Sequence, residues 1–314
     1  MTNPVPVGMF AANPALRIDI LRSVDAQQDP RLRIAAIGFL NPAPLMWDFE
    51  HLPLCDALDR RYRIDRMAPS ACATRLASGE ADIGLIPIAA LATIPGLRIL
   101  PGCTIASKGC VRSLQLVHRA SQPLAALRSV AADTASRTTI AYTRVMFHKW
   151  GNPEAAFLPL AADLDLMLAR ADAAIVIGDP ALLALEERQN RFERTGEELV
   201  YLDLAEEWRT LTGLPFVSAV WAAGIACSSP LHDGIAQDFI RSRDHGLANI
   251  DALVDEWSKR IAIPEQTIRS YLTTNIHYVL DDECVEGMQG FYRMAAEYGV
   301  LPPYTVAQDE MAAR

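Results

Sequence analysis

The chain has 314 residues, of which 51% are apolar and 21% charged, with a formal net charge of −9. That length is enough for two lobes with real cores. The acidic balance disfavours nucleic acid or an anionic membrane surface as a partner. It leaves a small anionic ligand open, because helix N-termini and local donors bind anions regardless of net charge. No stretch of about twenty apolar residues occurs, so no membrane-spanning helix is expected.

The segment Met1–Pro30 has no basic start and no continuous apolar run; Asp19, Asp25 and Asp29 interrupt it. It is expected to be an extension rather than a secretory signal, with a short helix around Ala15–Ser23. The first strand is expected over Arg33–Ile37, inside the apolar run that starts at Leu32. It is followed by Gly38-Phe39-Leu40-Asn41-Pro42-Ala43-Pro44-Leu45, whose prolines stop the strand and fix a turn. A helix is predicted over Phe49–Arg61, a strand over Tyr62–Met67 and a helix over Ala71–Ser78 capped by Pro69-Ser70. Gly79–Pro87 reads as a turn and a buried strand. Leu97–Leu100 and Ser113–Val117 read as strands, with Thr104–Arg112 a polar loop between them.

After Pro123 the pattern restarts. Val130–Ala132 is a strand, Asp133–Thr139 a hydroxyl-rich turn, and a helix runs to about Trp150. Ala173–Ile177 is a buried strand, with Gly178-Asp179 opening a helix. Tyr201–Leu204, Ala205–Leu211 and Phe216–Trp221 complete this unit. Helices are predicted over His232–Ala248, Ile250–Ile261, Pro264–Thr273 and Asp282–Tyr298, from apolar spacings of three and four. Alternating strands and helices give an α/β class. The mid-chain restart predicts a two-lobed, type II periplasmic-binding-protein-like fold with a ligand cleft between the lobes. The expected divisions are an extension at 1–30, a discontinuous first lobe at 31–120 plus 223–314, and a second lobe at 121–222.

Asn41 is placed at the carboxyl end of the first strand, the edge where open α/β sheets bind ligands. Its amide donates and accepts at once. Ser107 and Ser113 flank a polar loop; each is able to donate to a carboxylate, or simply to satisfy its own loop backbone. Thr134, Ser136, Thr138 and Thr139 put four hydroxyls at a helix start, where free N–H groups and the helix dipole favour an anion. Asp133, Thr134 and Ser136 equally suit N-capping of that helix. Asp179 offers a carboxylate at a strand end, as a base or as an N-cap.

The six cysteines show no Cys-x-x-Cys spacing, which argues against a zinc site or a dithiol motif, and they are expected to be reduced and cytosolic. The six histidines show no metal-ligand spacing. There is no Gly-x-Ser-x-Gly elbow, phosphate loop or Gly-x-Gly-x-x-Gly fingerprint, so serine hydrolysis and nucleotide-dependent hydride transfer are poorly supported.

Five stretches together resemble the chorismate dehydratase family of the futalosine route to menaquinone. They are Phe39–Leu45, Leu76–Pro87, Ser107–Ser113, Ala174–Leu182 and the long block Tyr201–Trp221, which contains Glu206-Glu207-Trp208-Arg209 and Pro215-Phe216. The resemblance implies a cytoplasmic lyase that needs no cofactor and no metal. Its substrate would be the small molecule chorismate, dehydrated to 3-[(1-carboxyvinyl)oxy]benzoate. It implies an active-site role for Asn41 and for one serine, Ser113 or Ser107. Arg112 departs from the family pattern, standing where a small residue is expected; the departure implies either a shifted loop or an added positive charge near a substrate carboxylate. The alternatives are a sibling enzyme forming 1,4-dihydroxy-6-naphthoate and a non-catalytic solute-binding or sensor protein. The Glu-Glu-Trp to Pro-Phe block favours the dehydratase.

Overall fold

In this computed structural model the described residues are 29–224, 227 and 234–306. The short helix expected around Ala15–Ser23 lies outside them. Eleven strands form: β1 (Leu32–Ile37), β2 (Tyr62–Met67), β3 (Ile83–Pro87), β4 (Arg98–Ser107), β5 (Leu114–Arg119), β6 (Ser129–Asp133), β7 (Ala156–Leu160), β8 (Ala173–Ile177), β9 (Leu199–Asp203), β10 (Phe216–Ala223) and β11 (His277–Val279).

They make two sheets. The first has the order β11-β4-β10-β3-β1-β2, the second β7-β6-β8-β5-β9. Within the first, β1 pairs in parallel with β2 and β3, while β10 runs antiparallel between β3 and β4. Within the second, β6 is parallel to β7 and β8, and β5 is antiparallel to β8 and β9. The chain therefore crosses between sheets twice, from β4 to β5 and from β9 to β10. This moves the expected lobe boundaries. The strand Leu114–Arg119 pairs in the second sheet, not the first, and Phe216–Ala223 in the first, not the second. Hydrophobic pattern marks a strand as buried but does not say which neighbour it pairs with.

Three further differences bear on the site. The helix expected over Phe49–Arg61 is two short helices, Trp47–Glu50 and Cys55–Leu58, interrupted around Pro53. Thr104–Ser107 is not loop but the end of β4, because a buried strand tolerates hydroxyls that find partners: Thr104 Oγ1 donates to the Ala219 carbonyl at 2.8 Å. The helix expected over Pro264–Thr273 is α-helical only at Glu265–Ser270, then widens into a π turn at Tyr271–Asn275.

One apolar core spans both sheets at the crossings. Tyr142 stacks between Phe216 and Phe291 and meets the edge of Trp208, all four fully buried. A smaller cluster of Val117, Met167, Leu168 and Val176 fills the far side of the second sheet. The helix Ile235–Ala248 clamps the turn after Asn41. Its Ser242 hydroxyl accepts the Asp48 N–H and donates to the Leu45 carbonyl, both at 2.9 Å, while the buried Asp48 carboxylate receives Arg241 at 3.0 Å and His245 at 2.8 Å. Gly246 in that helix lies so close to Pro44 that a Cβ there would overlap its backbone. These contacts hold the segment Pro44–Asp48, just beyond Asn41, against the first lobe's own helix.

Candidate active site

The carboxyl ends of β1, β3, β6 and β8 converge on a cavity of about 40 Å³. It is walled by Asn41, Phe39, Pro87, Ser136, Arg137, Thr138, Thr139, Gly178 and Ser218, with Ile37, Ile105, Leu114 and Ile177 as an apolar floor. Asn41 from the first lobe and Thr138-Thr139 from the second thus share one enclosure. The volume holds only a few waters. The lobes are shut around it by direct bonds. Leu40 N–H donates to Asp179 Oδ1 at 2.9 Å, and Ala89 N–H to Thr138 Oγ1 at 3.2 Å. On the opposite rim Ser70 donates through N–H to the Ala135 carbonyl at 3.0 Å and through Oγ to the Thr134 carbonyl at 2.9 Å. Arg137 reaches across to Thr74 Oγ1 at 2.8 Å.

The helix Thr138–Lys149 begins at this cavity, and no side chain caps its first N–H groups. Ser136 Oγ is buried beside them without a partner. Asp133, which the hydroxyl-rich turn offers as a cap, instead receives the Ala135 N–H at 2.9 Å and shapes the turn. Burial holds its carboxyl above the ordinary aspartate range. Of the four clustered hydroxyl residues, Ser136, Thr138 and Thr139 line the cavity. Thr134 is exposed and faces an outer groove with Ser70, Ala71 and Thr74. Ser136 lines that groove as well as the cavity, whereas Thr134 lines the groove alone.

A second group of polar atoms gathers on the other side of Asn41. The Tyr271 hydroxyl, fully buried in the π turn, faces Ser113 and Asn41. Yet Asn41 Oδ1, Ser113 Oγ and Tyr271 Oη are all buried without a hydrogen bond of good geometry. Burial drives the Tyr271 phenol far above its ordinary range, so it stays a protonated donor. Three unsatisfied groups in one place are costly, and natural cores keep such groups where a ligand completes them. π turns in turn recur at functional sites.

Several expected residues stand apart. Ser107 Oγ donates to the Gly109 carbonyl at 2.8 Å and accepts the Gly109 N–H at 3.3 Å, the self-satisfied loop its spacing allowed. Arg112 does not line the cavity. Its guanidinium pairs with Glu186 at 3.0 Å, and its backbone holds φ 64°, a left-handed conformation that glycine adopts without strain. Asp179 borders the cavity but is committed to the Leu40 N–H; burial raises its pKa to about 6, the Leu40 bond opposing the rise. Sequence reading missed Arg137, Ser218 and Tyr271. Ser218 lies inside the Pro215–Trp221 block and carried a signal; Tyr271 sits in an ordinary amphipathic helix pattern and carried none. Among the described residues lining the cavity there is no histidine, aspartate or glutamate. A larger groove of about 600 Å³ lies on the second lobe, lined by Asp163, Asp165, Arg191 and Arg194. Its charges pair across it, Arg191 with Asp165 at 2.6 Å and Arg194 with Asp165 at 3.5 Å, and it contains none of the predicted residues.

Comparison with known proteins agrees with this architecture. Residues 32–297 match a family model described as menaquinone biosynthesis. A chorismate dehydratase of Thermus thermophilus is 26% identical over 239 residues, covering 73% of this chain and 85% of that protein. Among solved structures, a protein of Archaeoglobus fulgidus superposes with a TM-score of 0.67 at 13% identity, covering 88% of this chain and 100% of the other. The alkanesulfonate-binding protein of Xanthomonas axonopodis pv. citri gives 0.64 at 14% identity, over 90% and 98% of the two chains. The periplasmic aliphatic sulphonate binding protein of Escherichia coli gives 0.61 at 15%, over 91% and 92%. At such identities the structures establish the fold: α/β, two-lobed and of the periplasmic-binding-protein type.

Proposed function

Since the chain belongs to the menaquinone biosynthesis family, we propose that it is a chorismate dehydratase acting in the cytoplasm on the futalosine route. It would remove water from chorismate to give 3-[(1-carboxyvinyl)oxy]benzoate. The observation that carries this reading is the shared cavity. It joins Asn41 on one lobe to an uncapped helix N-terminus on the other, with an apolar floor between them. A flat ring bearing two carboxylates has complementary chemistry. The named relative from Thermus thermophilus points the same way.

The reaction breaks a C–H bond at the ether-bearing carbon and the C–O bond of the ring hydroxyl; proton and hydroxide leave as water and the ring becomes aromatic. With no carboxylate or imidazole free on the cavity wall, a carboxylate of the substrate itself, folded over the ring, takes the proton. Holding it there supplies much of the effect by proximity. Asn41 stabilises the charge that develops, through its amide. Ser136, Thr138, Thr139 and the first N–H groups of their helix take the second carboxylate. For the serine of the family pattern, the free Ser113 hydroxyl supports Ser113 over Ser107, whose hydroxyl is already spent on its loop. The cavity is too small for this substrate, so the lobes open to admit it and close to exclude water.

Incubating purified protein with chorismate and following the aromatic product by ultraviolet absorbance and mass spectrometry tests the reading. Stoichiometric product is expected. Recovery of unchanged chorismate from active-site-saturating protein rejects it, and tight binding without turnover would favour a solute-binding role.

A further inference from the structure

The loop that carries Asn41 is held from the opposite lobe at two adjacent points. The Leu40 N–H, immediately before Asn41, donates to Asp179 Oδ1 at 2.9 Å. The Phe39 ring packs against Gly178, where a Cβ would come 2.5 Å from the ring. Gly178 holds φ 65°, a conformation that costs other residues and frees this close approach. Gly178 and Asp179 follow β8 directly, and Asp179 opens the helix Asp179–Glu186, so both belong to a rigid corner of the second lobe. Asp179 is half-buried, and the Leu40 N–H is its one hydrogen-bond partner among the described residues. The bond from this half-buried carboxylate to a backbone donor of the other lobe exists only while the lobes are closed.

We propose that Asp179 is a positioning residue: together with Gly178 it grips Phe39-Leu40 on closure and sets the Asn41 amide against the substrate. The proposal rests on the dehydratase reading for what Asn41 does, but the contact itself does not. Opening the lobes releases Leu40 and Phe39 together, so Asn41 is in register only in the closed form. The bond is to a backbone N–H, so an amide oxygen at position 179 replaces the carboxylate acceptor, and a methyl group does not.

The test has two arms on the full-length protein. Amide hydrogen exchange at Leu40 is compared in wild type, Asp179→Ala and Asp179→Asn without substrate. Turnover of chorismate is then measured on the same three proteins. Expected is exchange at Leu40 at least about tenfold faster in Asp179→Ala, and near wild type in Asp179→Asn, from the loss of one hydrogen bond to a charged acceptor. Expected with it is a kcat at least about tenfold lower for Asp179→Ala with a smaller change in KM, restored in large part by Asp179→Asn. Unchanged Leu40 exchange in folded Asp179→Ala overturns the proposal. So does faster exchange with unaltered kcat, which is what a merely structural contact gives. Wild-type protein that makes no product overturns the dehydratase reading instead, and the exchange arm, which needs no substrate, still decides whether Asp179 holds Leu40. If Asp179→Ala does not fold, Gly178→Ala supplies the second variant: it displaces Phe39 while keeping the carboxylate, and slowed turnover in folded protein is again expected, unaltered turnover again contrary.

Discussion

At the scale of the residue, the unsatisfied polar atoms around Asn41 make distinct predictions. Asn41→Ala is expected to fold and to turn over at least about tenfold more slowly, the least expected for a donor to developing charge; steady-state kinetics on chorismate checks it, and unchanged rates exclude the role. Tyr271→Phe removes a buried hydroxyl that has no partner in the free protein. Its Tm is therefore expected to hold or rise slightly while kcat falls; a Tm several degrees lower would mean that the hydroxyl is structural. Asp179 gives the pH prediction. Its folded pKa, about 6, lies above the ordinary value of 3.8, so the folded state holds a proton that the unfolded chain has released. Stability from this group is thus fully present below about pH 4 and is lost as pH rises through 6, on the order of 3 kcal/mol by linkage. Asp179→Asn has no such loss. The Tm of Asp179→Asn relative to wild type is expected to rise between pH 5 and pH 7.5, and a constant difference would show that Asp179 is already ionised throughout.

At the scale of the element, the sequence located the secondary structure around the site better than its partners. β1 ends at Ile37, ahead of the turn at Pro42 that leads into the short helix Ala43–Met46, and the hydroxyl-rich turn does open a helix at Thr138. What holds the first loop is invisible in local pattern. It is the helix Ile235–Ala248, almost two hundred residues on, whose Gly246 accepts the Pro44 backbone against its own. Gly246→Ala is expected to destabilise by about 1–3 kcal/mol through overpacking against a backbone that cannot yield. The denaturant midpoint measures this; an unaltered midpoint would mean that the helix slides freely. Thr134 shows the converse: adjacency in a hydroxyl cluster does not bring every side chain to the cavity, since the turn at Thr134–Ala135 leaves Thr134 exposed on the outer groove.

At the scale of the whole molecule, the two crossings between sheets make the cleft. They join β4 to β5 and β9 to β10, and the Tyr142–Phe216–Phe291–Trp208 cluster packs beside them. A cavity of about 40 Å³ sealed by hydrogen bonds on both rims admits no substrate as it stands. Small-angle scattering is expected to show a larger radius of gyration for free protein than for protein saturated with a dianionic ring ligand. Equal radii would require entry by side-chain movement alone.

The sequence by itself determined the α/β class, the buried strands, the turn at Asn41 and the helix start at Thr138, because periodicity, proline and hydroxyl clustering act over a few residues. Only the tertiary structure decided that Leu114–Arg119 and Phe216–Ala223 exchange sheets, and that Arg112 turns to Glu186. It alone turned Asp179 to the Leu40 backbone and brought Tyr271 beside Asn41. Those outcomes depend on partners far apart in the chain, chosen by which buried surfaces and which donors can be satisfied at once.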